Sequence, residues 1–265
     1  MNVTHANERC ERQLSGLTGL VTGAGSGIGR ATATALADHG MRVILVGRRE
    51  SLLHEAVEEI SHGNGHALAR SCDLSDADAV TRLAQTVLDE VTGRLAILVH
   101  SAAMYSIGAI EQTSVEQFDT IFRTNVRAPF QLTQLLLPAL RAARGDVVFV
   151  NSSAASNSPA NVGPYAASKA ALTALADSLR HEVNSAGVRV LSVYLGRVAT
   201  PMQEAISLAA NREYQPELLL QPADVAHLIV NALSLGTTAE LTELRVRPRH
   251  RPKVGAQEII KEGIR

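Results

Sequence analysis

Short apolar runs alternate along the chain with longer stretches in which apolar residues recur every three or four positions. The runs predict strands over residues 17–21, 42–46, 66–70, 95–99, 147–150, 188–193 and 241–246. Their near-continuous Val, Ile and Leu content is what strands covered on both faces require. Between them, residues 51–60 place Leu52, Leu53, Ala56, Val57 and Ile60 on one helical stripe. A second helical segment opens at Ser114, where Gln117 three residues on completes a capping box, and leads towards a further helix through Leu140 and Arg141. Another is expected from Tyr165 to Ser185, and Gly40 and Gly187 sit just past helix ends, where a left-handed cap favours glycine. Strands alternating with helices predict an α/β fold, a doubly wound parallel sheet of about seven strands with helices on both faces. No repeat or linker interrupts the series. Residues 15–250 are expected to form one domain, with a flexible arm over 1–14 and a basic tail over 251–265.

Composition narrows the function classes. The 265 residues carry 25 Lys+Arg against 26 Asp+Glu, a net charge of -1, so no basic stripe for nucleic acid or polybasic membrane patch is present. Trp is absent and Phe and Tyr number four each, so aliphatic residues and alanine must build the core. Cys10 and Cys72 make neither a disulfide framework nor a metal-type pair, and no metal site is expected. The polar, charged start of the chain lacks the apolar run of a signal peptide, and no stretch approaches a membrane span. The expectation is a cytoplasmic protein.

Candidate chemistry begins with Thr22-Gly23-Ala24-Gly25-Ser26-Gly27-Ile28-Gly29, which follows the first strand and opens a helix. Glycine allows the tight turn and lets backbone N–H groups approach a phosphate, while the helix N-terminus adds free N–H groups and a positive dipole end. No Gly-Lys-Ser/Thr follows, so a P-loop is excluded and a dinucleotide pyrophosphate is the better ligand. In such a Rossmann-type unit an acidic residue about 20 positions on usually grips the ribose 2′-OH. This chain instead carries Gly47-Arg48-Arg49. Two guanidiniums pair with a 2′-phosphate where an Asp would repel it, which favours NADP(H) over NAD; the competing reading is a solvated pair opening the next helix. In Cys72-Asp73-Leu74, Asp73 is either an acceptor for the adenine amino group or a turn residue ahead of a helix cap at Ser75.

Tyr165-Ala166-Ala167-Ser168-Lys169 sets a phenol and an ammonium on one face of a helix. Ser152 lies 13 residues before Tyr165, directly after the fifth strand, at the carboxyl edge of the sheet where such folds bind ligands. Asn125 falls near a helix end in Thr124-Asn125-Val126.

With these motifs in this order, residues 17–246 resemble the single-domain, NADP-type branch of the short-chain dehydrogenase/reductase family. The resemblance implies reversible hydride transfer between NADP(H) and a carbonyl or secondary alcohol. Tyr165 would be the acid or base, Ser152 would polarise the carbonyl (with Ser153 as its substitute), and Lys169 would hold the nicotinamide ribose. Asn125 would hold a water in the proton relay. Val198 and Thr200 match positions that contact the nicotinamide amide and the phosphates. A tyrosine titrates ordinarily near 10, and a positive charge at about 4 Å is worth roughly 4 kcal/mol at an effective dielectric near 20, so Lys169, with the nicotinamide's own positive charge in the oxidised complex, is expected to lower it. The resemblance also implies a homodimer or homotetramer built on the helices over 114–141 and 165–185, where Ala170, Ala171 and Ala174 permit close approach.

The chain departs from the family at two turns. His100-Ser101-Ala102-Ala103 stands for Asn-Asn-Ala-Gly, with His100 expected to replace an Asn as a donor and Ala103 to crowd the backbone. Leu195-Gly196 stands for Pro-Gly, which is expected to loosen the turn beside the site. The segment 201–221 is the expected substrate lid, with apolar Met202, Ile206 and Leu208 beside Tyr214 and no Lys/Arg cluster. Met104 and Tyr105 are assigned to the same pocket or to core packing. A catalytically silent nucleotide-binding regulator is the alternative, though a mere binder needs neither Ser152 nor Tyr165. A nucleotide-sugar epimerase, normally longer, ranks last.

Overall fold

A computed structural model describes residues 12–249. Its sheet contains β1 (Thr18–Thr22), β2 (Arg42–Gly47), β3 (His66–Ser71), β4 (Ile97–His100), β5 (Asp146–Ser152), β6 (Arg189–Leu195) and β7 (Glu243–Val246), in the spatial order β3-β2-β1-β4-β5-β6-β7. All neighbouring strands run parallel. The helices are α1 (Gly27–Asp38), α2 (Glu50–His62), α3 (Ala77–Glu90), α4 (Val115–Phe122), α5 (Ala128–Ala143), α6 (Gly163–Val183), α7 (Pro201–Ala209) and α8 (Pro222–Leu233).

Alternation along each buried strand divides the core in two. Val21, Val43, Leu45 and Val148 face a layer that includes Leu36 of α1, Leu53 of α2 and Ile229 of α8. Leu20, Ile44, Leu98 and Val147 face the opposite layer, with Val80 and Val87 of α3, Leu132 of α5 and Leu172 of α6. Both faces are therefore covered, which explains the apolar runs in the middle of the central strands. Strand order reverses between β1 and β4, and the crevice that opens at their carboxyl ends is the natural ligand site of such a sheet.

Several boundaries differ from the sequence expectation. β4 starts at Ile97 rather than at 95 and reaches His100, β7 is shorter, and β5 runs on to include Ser152. The expected helix over 114–141 is broken by a π-helical turn at Arg123–Arg127, which joins α4 to α5. The extra residue in that turn brings Thr124 and Asn125 into the interior. α3 is capped by Asp76, whose carboxylate accepts from the N–H groups of Asp78 and Ala79, and not by Ser75. Gly40 and Gly187 do adopt left-handed φ of 78° and 76°.

Residues 12–14, assigned above to the flexible arm, are docked. The Arg12 N–H donates to the Ser234 carbonyl at 3.0 Å, and Leu14 is buried in the α1/α8 layer. The Arg12 guanidinium pairs with buried Asp146, which also accepts from Arg189 Nε at 2.6 Å. The rest of the expected arm, and the tail over 251–265, lie outside the described residues.

Candidate active site

The carboxyl ends of the strands open into one cleft of about 820 Å³. At one end the backbone turns from Gly23 to α1. Gly23 has φ 70°, and a Cβ there would lie 2.8 Å from Ala102 Cα; at Gly29 it would lie 2.3 Å from the Gly23 carbonyl oxygen. Only glycine permits so compact a loop. Ser26, the N-cap of α1, makes no side-chain capping bond, so the first-turn N–H groups of Gly27, Ile28 and Gly29 are left for another acceptor. Thr22 ties the loop to β4: its hydroxyl donates to the Val99 carbonyl at 3.3 Å and accepts from the N–H groups of Ser101 and Ala102 at 3.1 and 3.2 Å.

Arg48 and Arg49 line the same end of the cleft, and Arg49 reaches Ser26 Oγ at 3.5 Å. Asp73 and Leu74 lie beside them. Asp73 Oδ1 accepts from both the N–H and the hydroxyl of Ser75, at 2.9 and 2.8 Å, and these bonds hold its pKa below the usual carboxylate value. The turn reading of Asp73 is thus realised, with its other oxygen left over. An uncapped helix start, a glycine loop that a Cβ would fill and a guanidinium pair fit a dinucleotide that bears an extra phosphate.

In the middle of the cleft stand Ser152, Tyr165 and Lys169. β5 carries Ser152 as its last residue, and its hydroxyl accepts from the Ala154 N–H at 3.1 Å. α6 brings Tyr165 and Lys169 alongside through their one-turn spacing. Lys169 is buried; its ammonium donates to the Val150 carbonyl at 2.9 Å and lies 5.8 Å from the centre of the Tyr165 ring. Burial lowers the Lys169 pKa to about 8. Tyr165 is shifted upward, by burial first, with a hydrogen bond to Ser152 opposing it. The expected downward shift from Lys169 is therefore not found in the chain alone. Desolvation of the phenolate outweighs an ammonium that burial itself discourages from being charged.

Asn125 is buried on the π turn and does not line the cleft. Its Oδ1 accepts from the Met104 N–H at 2.7 Å, while Nδ2 donates to the Met104 carbonyl at 2.9 Å and to Ser168 Oγ at 3.0 Å. The side chain thus clamps the segment after β4 to α6. That grip sets Tyr105, whose ring centre lies 4.7 Å from that of Tyr165. Met104 and Tyr105 line the cleft.

The two departures prove well accommodated. His100 is buried, stacks on Phe149 at 5.0 Å and contacts Thr133 Oγ1 at 2.8 Å, and burial lowers its pKa to about 3, so it is neutral. Ala103 needs no left-handed backbone, so the expected crowding does not arise. Leu195 extends β6 between Ser152 and Val246, and the Gly196 N–H donates to the Val246 carbonyl at 2.8 Å. Val198 then forms a bridge to Leu220, flanked by bonds from Ala199 N–H to Leu220 and from Leu220 N–H to Arg197. The expected loosening is thus offset, because a residue with an N–H and a strand conformation continues the ladder. Thr200 caps α7 through the Gln203 N–H at 3.2 Å, and both Val198 and Thr200 line the cleft.

Arg197, Arg212, Ile107 and Val162, which carry no local sequence signal, also line the cleft. Among the described residues no group of acidic, His or Cys side chains could hold a metal, and no helix is long and apolar enough to cross a membrane.

Comparison with known proteins agrees with this geometry. A sequence model of the short chain dehydrogenases matches residues 18–211. An uncharacterized oxidoreductase of Staphylococcus epidermidis is 30% identical over 230 residues, 86% of this chain and 96% of its own. Among solved structures, a metagenomic short-chain oxidoreductase in complex with NADP shows a TM-score of 0.78 at 30% identity, covering 91% of this chain and all of its own (100%). A short chain dehydrogenase of Burkholderia cenocepacia, also in complex with NADP, shows a TM-score of 0.78 at 28% identity over 89% of this chain and 98% of its own. The matched span includes β1, the glycine loop, Asn125, Ser152, Tyr165 and Lys169, and the chain belongs to the short-chain dehydrogenase/reductase family.

Proposed function

We propose that the protein is an NADP(H)-dependent oxidoreductase that interconverts a carbonyl group and a secondary alcohol. The observation that carries this reading is the convergence of Ser152, Tyr165 and Lys169 in the cleft that the glycine loop opens. The N–H groups of Gly23 to Gly29, with Ser26 and Ile28 among them, would hold the pyrophosphate, and Arg48 and Arg49 the 2′-phosphate. Asp73 and Leu74 would flank the adenine, and Val198, Thr200 and Lys169 the nicotinamide half. When bound, the nicotinamide supplies the hydride in reduction and takes it in oxidation. The NADP complexes of two structural relatives support the choice of cofactor.

The chain's own groups handle the proton and the orientation. The Ser152 hydroxyl donates to the carbonyl oxygen and turns it towards Tyr165. Tyr165 then gives its phenolic proton to that oxygen, and its high pKa keeps the proton in place until charge develops there. Lys169, once protonated, stabilises the phenolate left behind and is a route by which the proton is replaced. Asn125 acts as a positioning residue: it fixes the backbone at Met104 and so the wall opposite Tyr165.

Localisation in the cytoplasm and assembly as a homodimer or homotetramer belong to the same reading. Val115, Phe118 and Phe130 expose apolar surface on α4 and α5, and the small residues Ala170 and Ala174 are exposed on α6. A panel of ketones and secondary alcohols, assayed for NADPH oxidation or NADP+ reduction with NADH and NAD+ in parallel, tests the reading. Turnover of at least one carbonyl–alcohol pair, faster with the phosphorylated cofactor, is expected. Tight NADPH binding with no turnover of any member would make the protein a silent nucleotide binder instead.

A further inference from the structure

The end of the cleft beyond Tyr165 has a charge that a plain ketone would not use. Its walls include the apolar side chains of Ile107, Val162, Met202 and Ile206. Arg197 and Arg212 also line the cleft, and Lys169 is buried beside Tyr165. Among the described residues Asp73 is the one carboxylate that lines the cleft, and it follows β3, at the end proposed for adenosine. Among the described residues neither Arg197 nor Arg212 takes part in an ion pair.

The position of Arg212 is set by the backbone. α7 closes with Asn211 in a left-handed conformation, φ 51°, and the Arg212 N–H donates back to the Ser207 carbonyl at 2.8 Å. This turn ends the helix and directs the chain back along the cleft. Arg212 and Tyr105 line the same cleft, and the positive charge of Arg212 partly offsets the effect of burial on that phenol. Burial still dominates and raises the Tyr105 pKa, so the hydroxyl remains a donor at neutral pH. Tyr105 is in turn packed against Tyr165, one ring away from the reacting oxygen.

We propose that the substrate is an oxo acid, or the matching hydroxy acid, whose carboxylate is held by Arg212 and the Tyr105 hydroxyl while its carbon frame lies on the apolar wall. This deepens, and rests on, the carbonyl–alcohol reading above. A guanidinium offers paired donors that match a carboxylate, and a neighbouring hydroxyl supplies a third. Arg197 and Arg212 come from separate segments, which suits a single carboxylate better than a polyanion. Arg197, from the turn after β6, adds positive potential from a second position.

The test uses the full chain with NADPH and a series of straight-chain oxo acids that differ in the place of the keto group, each paired with its methyl ester. The best acid is expected to exceed its own ester in kcat/KM by about tenfold or more, the scale of a charge-assisted hydrogen bond. In Arg212→Ala that acid-to-ester ratio should fall towards one, mainly through KM, with Arg212→Lys intermediate. Tyr105→Phe, which keeps the ring, should lower the ratio less. NADPH affinity serves as the control for folding. Calorimetry gives a readout without turnover: hexanoate should bind the NADP+ complex more tightly than 1-hexanol, and lose that advantage in Arg212→Ala. Reduction of esters as fast as acids, or a ratio unchanged in Arg212→Ala, would overturn the carboxylate subsite and leave the carbonyl reading standing. If NADPH binds and no oxo compound is reduced, the carbonyl reading falls and the oxo-acid proposal with it.

Discussion

At the end of the cleft proposed for adenosine the walls are largely backbone, a glycine loop where a Cβ on Gly29 would lie 2.3 Å from the Gly23 carbonyl oxygen and an uncapped helix start, with an arginine pair at the strand end beside them. At the substrate end the walls are side chains, Tyr105, Ile206 and Arg212 among them, carried by segments that meet only in the folded state. Backbone walls depend on residue types that few alternatives can replace, so that end tolerates little and announces itself in the sequence. Side-chain walls can be rebuilt without disturbing the fold, and so can change substrate while the cofactor site stays the same.

The largest expected effect strikes the backbone end. Gly29→Ala places a methyl group against the Gly23 carbonyl, and overpacking of this kind costs about 3 kcal/mol, a fall in Tm of roughly 6–12 °C. NADPH affinity should be lost with it. Arg212→Ala, on the exposed rim of the other end, should stay within about 0.5 kcal/mol of wild type. Thermal melts of the two variants test the contrast, and equal losses would break it.

A smaller effect is expected at the arginine pair. Arg48 lies 19 residues beyond Gly29, and replacing it with Asp removes the proposed partner of the 2′-phosphate and adds repulsion. The ratio of kcat/KM for NADPH over NADH should fall by about 10–100-fold. Because Arg49 shares the load, the double variant should fall further. An unchanged ratio would make both arginines solvated surface residues.

The smallest effect separates the buried lysine from both ends. Lys169 titrates at about 8 in the folded chain against 10.5 ordinarily, so above pH 8 the folded state has released a proton that the unfolded chain still holds. Stability therefore rises with pH from about 8, and the burial cost of the charged ammonium is fully present below it. Cys72, pushed up by burial to about 11 from 9.0, works the other way above pH 9, which closes the window. Urea melts should show a gain of about 1 kcal/mol between pH 8 and 9, absent in Lys169→Met. A slope that survives the substitution would assign it to another group.

The sequence was legible where short-range rules apply. Val/Ile/Leu runs marked the inner strands, and the glycine spacing marked the loop, because each reflects the geometry of adjacent residues. The π turn at Arg123–Arg127 was not visible, since one inserted residue barely disturbs the apolar period on either side. For that reason the clamp of Asn125 on Met104 could not be anticipated. Arg212 was equally hidden, being a single arginine in a lid segment whose position depends on the left-handed turn at Asn211. In the chain alone Tyr165 is shifted upward, because burial, which pairwise charge reasoning leaves out, acts on both Tyr165 and Lys169.

The central claim is that Tyr165 transfers a proton in a cleft whose cofactor site is built independently of it. Tyr165→Phe tests it most directly, with the dissociation constant for NADPH and the rate of NADPH oxidation measured on the same preparation. Affinity is expected within about twofold of wild type, since the ring still packs, and the rate reduced by about 10²–10⁴-fold, the range of general acid catalysis. A folded variant that turns over at the wild-type rate would contradict it.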